Sequence, residues 1–526
     1  MFKLSLPLAV LACAVLMASA AAAALSPTVV KVDSGRLQGA AVDGVLAFKG
    51  VPFAEQPVGD LRWRPPQRAK PWTGVKPALK NGHDCLQAEV KGDPGMGTDL
   101  GEDCLYLNVW RPAEASAKKL PVMVWIYGGG LVNGGTQPAI YQGDNFARGG
   151  VVFVSINYRL GRFGFFAHPA LTAEHPDDLK GNYGYMDQLA ALQWVQRNIA
   201  AFGGDPMNVT LFGESAGGFS VHVLTASPLG KGLFQRAIVE SGGGRTNEGP
   251  AVAIGAAEAT GLAFAKAQGI EGGGAAALAR LRALPAAAVT GNLNMFTSNA
   301  NAATYPGPVT DGKLLVETPQ AAYLGRRQAK VALMAGANGA DLGFNTSPTI
   351  DALMAPFGAD RAKALAAYDP DGTGNLARVR SKVGMDQLME EPARFAAGAF
   401  AAQGLPAWEY RFDYVGEALK ARSPNGAAHA SEIPYVFDKY GPGYIAMVTP
   451  SHTGEASDKD KAVARTIHSY WLNFAKTGDP NGPGLPAWPR YDPAKDQLML
   501  FRGDGVAAAT PDPLKARLDL TAATQK

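Results

Sequence analysis

Residues 209–218 read Val-Thr-Leu-Phe-Gly-Glu-Ser-Ala-Gly-Gly. A β-prone run enters a Gly-x-Ser-x-Gly turn, and residues 218–224 leave the turn as a predicted helix. This order of strand, turn and helix is typical of a strained elbow that points a serine hydroxyl out of the edge of a sheet. The flanking glycines are needed because a side chain there would strike the neighbouring strand or helix. The pattern makes Ser215 a candidate nucleophile.

Short apolar runs recur on both sides of this elbow, and most are too brief for helices. They lie at 121–127, 151–158, 209–212, 237–240, 330–335, 408–414 and 497–501. Amphipathic helical patterns stand between many of them, as at 185–198 and 463–476. Strands that alternate with helices predict an α/β fold with a large, mostly parallel central sheet and helices on both faces.

Two regions depart from this alternation. Residues 28–32, 36–41 and 45–49 are separated by turn dipeptides and predict N-terminal antiparallel strands. Residues 249–303 are rich in alanine and glycine, with helical patterns at 251–268 and 275–284. We interpret this stretch as a helical insertion over the sheet, and the mature chain as one domain.

Composition narrows the class of protein. The chain has 526 residues, of which 47% are hydrophobic, enough for a large core. Its 49 basic and 46 acidic side chains give a net charge of +3. That balance lends no support to nucleic-acid binding or to binding of an anionic membrane.

The first residues are typical of an export signal. Lys3 is followed by an apolar run at 4–17 and by small residues at 18–24. We expect a signal peptide over residues 1–24, cleaved between residues 20 and 25, and a secreted or periplasmic chain over 25–526. Cys13 is an alternative lipidation site, but the apolar run continues beyond it. The run is too short to span a bilayer, and no second run of spanning length follows.

Removal of the signal leaves two cysteines, Cys85 and Cys104. In an exported protein they most simply form one disulfide. The alternative is a pair of free buried thiols. With two cysteines and no histidine pair at ligand spacing, a zinc site has no support. No phosphate-binding loop or nicotinamide motif is present either, so we expect no metal and no cofactor.

A serine nucleophile needs a base, and in such a sheet the partners follow in the order Ser, acid, His. Three histidines stand far enough beyond the elbow. His468 lies in the predicted helix 463–476, where packing is the simpler interpretation, and His452 lies in a loop without a flanking strand. His429 follows the strand predicted at 408–414 and is the favoured base, with a surface histidine as the alternative.

The acid is expected just past another strand. Asp341 follows the run at 330–335 and is the best-placed carboxylate, with a solvated loop residue as the alternative. Its function would be to hold the imidazole in the correct tautomer. An oxyanion hole would take one donor from Ala216 and others from the loop at 125–130, Trp-Ile-Tyr-Gly-Gly-Gly. A flexible turn is the alternative for that loop, because glycine runs also occur at 242–244 and 272–274.

Several further motifs accompany the elbow. They are Phe-Lys-Gly-Val-Pro-Phe-Ala at 48–54, Pro-Val-Gly-Asp-Leu-Arg-Trp at 57–63, Glu-Asp-Cys-Leu-Tyr-Leu-Asn-Val-Trp at 102–110, Asn-Tyr-Arg-Leu-Gly at 157–161 and Gly-Asn-Tyr-Gly-Tyr-Met-Asp-Gln at 181–188. With them the chain resembles the type-B carboxylesterase and cholinesterase family of α/β-hydrolases over roughly residues 30–501. The resemblance implies the α/β-hydrolase fold and a serine-hydrolase site.

Position by position, the resemblance implies a set of roles. Ser215 resembles the nucleophile, His429 the base, and Gly129, Gly130 and Ala216 the oxyanion donors. Cys85 and Cys104 match the first disulfide of the family. The family usually has Glu followed by Gly at the acid position, whereas Asp341 is followed by Leu342 here. The shorter side chain needs a different backbone approach. The first cysteine loop lacks an aromatic residue, so choline selectivity is not expected.

The sequence therefore predicts an exported serine carboxylesterase that acts on a small-molecule ester through an acyl-enzyme on Ser215. The alternatives are a non-catalytic adhesion or binding scaffold of the same fold, and an amidase or carbamate hydrolase. Five phenylalanines are candidates for an apolar pocket, and a place in the core is an equally good interpretation of each: Phe163, Phe219, Phe296, Phe344 and Phe357. Arg162 either meets an acidic substrate or lies exposed in a loop. Nothing in the sequence indicates an oligomeric state.

Overall fold

A computed structural model of the chain describes residues 28–90, 96–114, 116–245, 252–448 and 455–525. The predicted signal peptide, Cys13 and His452 lie outside these residues. The described residues form twenty strands: β1 Val29–Val32, β2 Gly35–Gln38, β3 Ala40–Val42, β4 Val45–Pro52, β5 Val75–Pro77, β6 Asp84–Cys85, β7 Leu100–Gly101, β8 Tyr106–Pro112, β9 Leu120–Ile126, β10 Val152–Ile156, β11 Phe165–Phe166, β12 Gly181–Asn182, β13 Gly204–Glu214, β14 Arg236–Glu240, β15 Val252–Ala253, β16 Val309–Thr310, β17 Ala332–Asn338, β18 Ala407–Phe412, β19 Gln497–Phe501 and β20 Ala507–Pro511.

Seventeen α-helices accompany them in the same residues. They are α1 Asp144–Arg148, α2 Gly161–Gly164, α3 Pro169–Glu174, α4 Tyr183–Asn198, α5 Ala216–Ala226, α6 Ile254–Ala267, α7 Ala275–Arg282, α8 Ala286–Thr290, α9 Pro319–Leu324, α10 Ile350–Met354, α11 Arg361–Tyr368, α12 Leu376–Met385, α13 Glu391–Ala401, α14 Ile433–Val436, α15 Pro442–Val448, α16 Asp458–Thr477 and α17 Lys515–Thr524. Helices cover both faces of the sheet, as predicted.

One large mixed sheet organises the described chain. Its strand order is β20-β19-β18-β17-β14-β13-β9-β10-β8-β4-β3. The seven strands from β19 to β10 pair in parallel, whereas β20, β8, β4 and β3 run antiparallel to their neighbours. The parallel strands are almost wholly buried because helices pack on both sides of them. The predicted α/β architecture is confirmed.

The N-terminal strands differ in detail from the prediction. The run at 36–41 is two strands, because the chain bends at Gly39. A Cβ there would lie 2.7 Å from the ring of Phe48. As a result β2 pairs with β1 and β5 in a small separate sheet, while β3 joins β4 on the large one.

Parallel strands bring their carboxyl ends to the same edge of a sheet. At this edge β13 leads into Ser215, β14 into Ser241, and β17 into the loop that holds Asp341. The end of β9 leads into the glycine loop at 128–130. The helical stretch α6 to α8 precedes Met295, whose amide donates to Asn133 Oδ1 at 2.8 Å, so that stretch is joined to the glycine loop.

Candidate active site

Ser215 occupies a tight turn between β13 and α5. Its backbone has φ 56° and ψ −126°, a conformation that costs a non-glycine residue about 1–3 kcal/mol. The amide of Ser215 donates to Glu240 O at 2.9 Å, and its carbonyl accepts from Phe219 N at 2.8 Å. These bonds hold the strained backbone in place between a strand and a helix, as the sequence pattern predicts.

The two glycines of the elbow are required by close approach of β9. A Cβ on Gly217 would lie 2.1 Å from Ile126 O, and one on Gly213 would lie 2.6 Å from the same oxygen. Side chains at either position would push the elbow away from the strand that leads into the glycine loop. The motif is therefore set by packing between two adjacent strands.

Asp341 and His429 are in direct contact. Asp341 Oδ1 lies 2.6 Å from His429 Nδ1. The loop with His429 is held beside the loop with Asp341 by backbone contacts, since Ala340 N donates to Ala427 O at 2.9 Å and Asn338 Nδ2 donates to Ala428 O at 2.8 Å. The sequence separates these residues by 88 positions, and the fold joins them through one rung of parallel pairing.

Asp341 is buried and accepts several hydrogen bonds besides the contact with His429. Ser241 Oγ donates to its Oδ2 at 2.6 Å, Asn338 N donates to Oδ2 at 2.9 Å, and Leu342 N donates to Oδ1 at 2.7 Å. Burial alone would raise the pKa of Asp341, but His429 and these donors hold the pKa below its ordinary value. The carboxylate is thus charged and fixed in orientation.

The other face of His429 meets a second carboxylate. Its Nε2 lies 3.1 Å from Oε1 of Glu214, the residue that precedes Ser215. Burial would lower the pKa of His429, but the charges of Glu214 and Asp341 raise it to about 10. In this resting arrangement the imidazole is cationic at neutral pH and lies between two acids.

Ser215 and His429 are brought to the same place but are not hydrogen-bonded. Among the described residues, no hydrogen bond joins Ser215 Oγ to the imidazole, whose Nε2 faces Glu214. Catalytic hydrogen bonds are often long or poorly aligned in substrate-free structures and tighten when a substrate binds. The described residues thus join Asp341 to His429, and they place His429 against Glu214, the residue before Ser215.

The glycine loop lies against Ser215. A Cβ on Gly128 would lie 2.9 Å from Ser215 Cβ. Gly129 and Gly130 have φ 95° and 64°, and a Cβ on Gly129 would lie 2.4 Å from Asn133 O. Ala216 is the first residue of α5, so its amide has no partner within the helix. In the part of the chain that the structure describes, no group accepts a hydrogen bond from the amides of Gly129, Gly130 or Ala216.

Three buried glutamates around this constellation were missed by the sequence reasoning. Glu214 is the second residue of the elbow motif, Glu240 ends β14, and Glu432 follows His429 by three positions. Burial raises the pKa of Glu432 to about 7, and Asn338 Nδ2 donates to it. Burial and the charge of Glu432 raise the pKa of Glu240, whose Oε1 accepts from Trp471 Nε1 at 2.7 Å. The signal that could have found these glutamates is their position in the sequence, because each stands at the end of a strand or close to the candidate base.

Other candidate residues from the sequence are accounted for by packing. His468 is buried in α16, where its Nδ1 lies 2.7 Å from Val436 O. Arg162 is buried and donates to Asn301 Oδ1, to the Thr304 hydroxyl and to three backbone carbonyls, so it does not lie exposed in a loop. Asp187, in the motif at 181–188, forms a buried ion pair with Arg159, with Oδ2 2.8 Å from Nε.

The five phenylalanines separate into two groups. Phe163 and Phe357 are buried in the core, and Phe219 packs against it. Phe296 and Phe344 are 78% and 75% exposed. Phe296 follows Met295, which contacts the glycine loop, and Phe344 follows Asp341 by three positions. These two exposed rings therefore do not belong to the core.

The described residues place Cys85 and Cys104 in a disulfide. Among the same residues, no three His, Cys, Asp or Glu side chains are grouped to hold a metal ion. A search of these residues for a helix long and apolar enough to cross a bilayer found none.

Known proteins resemble this chain over most of its length. A model of the carboxylesterase family matches residues 26–363 and 361–515. The chain belongs to the carboxylesterase family.

The relatives of this chain within the carboxylesterase family differ in the substrates that their names give. It is 34% identical to a fumonisin B1 esterase of Sphingopyxis macrogoltabida, over 89% of this chain and 85% of the relative. It is 34% identical to the para-nitrobenzyl esterase of Bacillus subtilis, over 90% and 94%. It is 33% identical to carboxylesterase 1C of Rattus norvegicus, over 90% of each.

A solved structure of a PNB esterase superposes with a TM-score of 0.78 at 31% identity, over 94% of this chain and 99% of that chain. The fold is the α/β-hydrolase fold. Ester hydrolysis by a serine-hydrolase enzyme is the activity that these relatives share.

Proposed function

We propose that the chain hydrolyses small-molecule carboxylic esters through an acyl-enzyme on Ser215, with His429 as base and Asp341 as the acid that orients it. The observation that carries this proposal is the 2.6 Å contact between Asp341 and His429 beside the strained turn that presents Ser215. Gly129, Gly130 and Ala216 supply the amide donors for the oxyanion. The support for this is that their N–H groups have no acceptor in the described residues and that Gly128, at the start of the same loop, lies against Ser215.

In the proposed reaction, Ser215 Oγ attacks the ester carbonyl carbon and His429 Nε2 takes the hydroxyl proton. The carbonyl oxygen becomes an oxyanion that accepts hydrogen bonds from the three amides. His429 then gives the proton to the leaving alcohol, and the C–O bond of the ester breaks. Water repeats the sequence on the acyl-enzyme and releases the acid, so the enzyme returns unchanged.

The resting state needs one change before this chemistry begins. His429 can accept a proton only when Nε2 is neutral and faces Ser215, whereas it is cationic and faces Glu214 at rest. Substrate binding would displace the imidazole from Glu214 by excluding water and occupying the space beside Ser215. Glu214 is therefore a positioning residue in this proposal.

We also propose that the chain is exported, with residues 1–24 as signal peptide and 25–526 as a single mature domain. The Cys85–Cys104 disulfide supports this location, because disulfides persist in oxidising compartments. Cell fractionation and N-terminal sequencing of the mature chain test it. A first residue outside positions 21–25, or a full-length chain in the reducing cytosol, would contradict it.

Covalent labelling tests the nucleophile. A fluorophosphonate probe should form one adduct on Ser215, found by peptide mass spectrometry, and Ser215→Ala should lower kcat/KM on a para-nitrophenyl ester by at least ~10³-fold. Ser469→Ala is the matched control, because Ser469 is partly exposed on α16 and its hydroxyl donates to Arg465 O. A folded wild-type protein that neither labels nor turns over a panel of esters would favour the scaffold alternative.

A further inference from the structure

The amino edge of the parallel sheet carries an open cavity of about 610 Å³. It is lined by residues that lead into β14 and β17, namely Lys231, Gly232, Phe234, Gln235 and residues 326–331. We call this set the basic cavity. Since Asp341 follows the carboxyl end of β17, the seven residues of that strand place the basic cavity ~20 Å from the candidate active site, at ~3.3 Å per residue.

Positive charge dominates the basic cavity. Four cations line it, Lys231, Arg326, Arg327 and Lys330, and no acidic side chain is among its lining residues. Arg327 is paired with Glu317. The other three are exposed and make no ion pair with any residue that the structure describes. Three unneutralised cations around one concavity attract anions, although the net charge of the whole chain is only +3.

Arg326 adopts a left-handed backbone conformation that glycine usually takes. Helix α9 ends with Arg326 N donating to Tyr323 O and Arg327 N donating to Ala322 O, the bonding pattern that usually ends on a left-handed glycine. Arg326 takes the left-handed position with φ 57°, whereas Gly325 beside it has φ −81°. Strained non-glycine residues cluster at ligand sites, where the side chain has a purpose that glycine cannot serve.

Two exposed leucines lie close in sequence to these cations but do not line the cavity. Leu324 is 65% exposed and precedes Arg326 by two positions, and Leu229 is 40% exposed and precedes Lys231 by two positions. The recognition therefore rests on the cations, which a free phosphate and a lipid headgroup would meet alike.

We propose that the basic cavity is a binding site for a phosphate-type oxyanion, free or in a lipid headgroup, remote from the serine. Arg326 would supply a planar pair of donors to two oxygens, and Lys231 and Lys330 would act as point charges. The volume lies in the range of small-molecule sites and exceeds that of a bare phosphate, so a larger phosphorylated ligand fits.

Titrations with two probes test the site. Inorganic phosphate is followed by calorimetry, and vesicles of phosphatidylcholine with about a third of phosphatidylglycerol are followed by co-sedimentation, against vesicles of phosphatidylcholine alone. We expect saturable binding of at least one probe, weakened at least ~10-fold in a Lys231→Gln/Arg326→Gln/Lys330→Gln variant and by added salt. Binding of phosphate alone indicates a soluble ligand, and binding of the anionic vesicles alone indicates a lipid headgroup.

A matched variant, Lys31→Gln/Lys118→Gln/Lys119→Gln, removes three exposed cations elsewhere and should bind as the wild type does. The proposal is overturned if neither probe binds, or if the two triple variants bind equally well. Thermal melts confirm that each variant is folded. Use of the Ser215→Ala background keeps the outcome separate from ester hydrolysis, because binding there does not depend on the nucleophile.

Discussion

The two edges of the parallel sheet use charge in opposite ways. At the carboxyl edge, Glu214 and Asp341 are buried and His429 is partly buried, and each lies within contact of another. At the amino edge, Lys231, Arg326 and Lys330 are exposed and unpaired among the described residues. Buried charges must be paired, so their pKa values shift and they act on one another. Exposed, unpaired charges act instead on what arrives from solvent.

The largest expected effect is on kcat, and it distinguishes a substitution after the carboxyl end of β17 from one before its amino end. Asp341→Asn keeps the shape of the carboxylate but favours the wrong imidazole tautomer, so kcat should fall ~10⁴-fold. Lys330→Gln, just before the same strand, should leave kcat on a soluble ester unchanged. Steady-state kinetics on a para-nitrophenyl ester measure both. Retention of a tenth or more of wild-type kcat by the asparagine variant would remove Asp341 from the proposed triad.

The next effect concerns the pH profile. Glu214 is the largest cause that raises the pKa of His429, so Glu214→Gln should lower that pKa. The rising limb of kcat/KM against pH follows loss of the imidazole proton, and it should therefore move to lower pH in the variant. Glu89→Gln, on a surface segment, serves as the control. An unmoved limb would mean that Glu214 does not set the protonation of His429.

The stability of the folded chain should depend on pH through the protonation of His429. The folded pKa of His429, about 10, lies above its ordinary value of 6.5. Its imidazolium therefore contributes fully to stability below about pH 6.5, and the contribution is lost as pH rises towards 10. Denaturant midpoints measured between these pH values should fall with pH, and they should fall less in Glu214→Gln. A steeper fall in the variant would contradict this assignment.

A smaller effect is expected at Ser241. Its hydroxyl donates to Asp341 Oδ2, and Ser241→Ala leaves two backbone amides on the carboxylate. One lost hydrogen bond to a charged group corresponds to about 1.5–3 kcal/mol at most, so kcat should fall ~10- to 100-fold with KM nearly constant. Ser469→Ala provides the comparison. A change in KM alone would place Ser241 outside the orientation of Asp341.

The smallest effect lies at the amino edge. Arg326→Gly relieves a left-handed arginine and should stabilise the fold by about 1 kcal/mol without altering ester hydrolysis. Differential scanning calorimetry and the same ester assay measure both quantities. A lower melting temperature would show that the arginine has structural contacts that outweigh its strain.

Local patterns were enough to predict much of this architecture. The apolar runs near β9, β13 and β17 are strands because both faces are buried, and the elbow is visible as glycine, serine and glycine between a strand and a helix. Asp341 and His429 were found because loops after late strands share one edge of the sheet.

Other features depend on contacts that a single sequence does not display. Strand β8 is not predicted from apolar runs because Asn108 and Arg111 interrupt its apolar residues. The fold buries Asn108, whose side chain accepts a hydrogen bond from Gly50 N and donates one to Ser155. Glu214 was overlooked because its importance arises from His429, far away in sequence, and the roles of Ser241 and Glu432 arise in the same way. The basic cavity likewise combines two chain segments about a hundred residues apart.

The rung between Ala340 and Ala428 has a further consequence. It ties the two loops together, so the carboxylate and the imidazole are displaced as one body when either loop fluctuates. We then expect the distance that varies during turnover to be the one between His429 and Ser215 on the elbow. Substitutions that loosen the rung would slow the reaction by widening the spread of distances to the serine, with every reacting group still present.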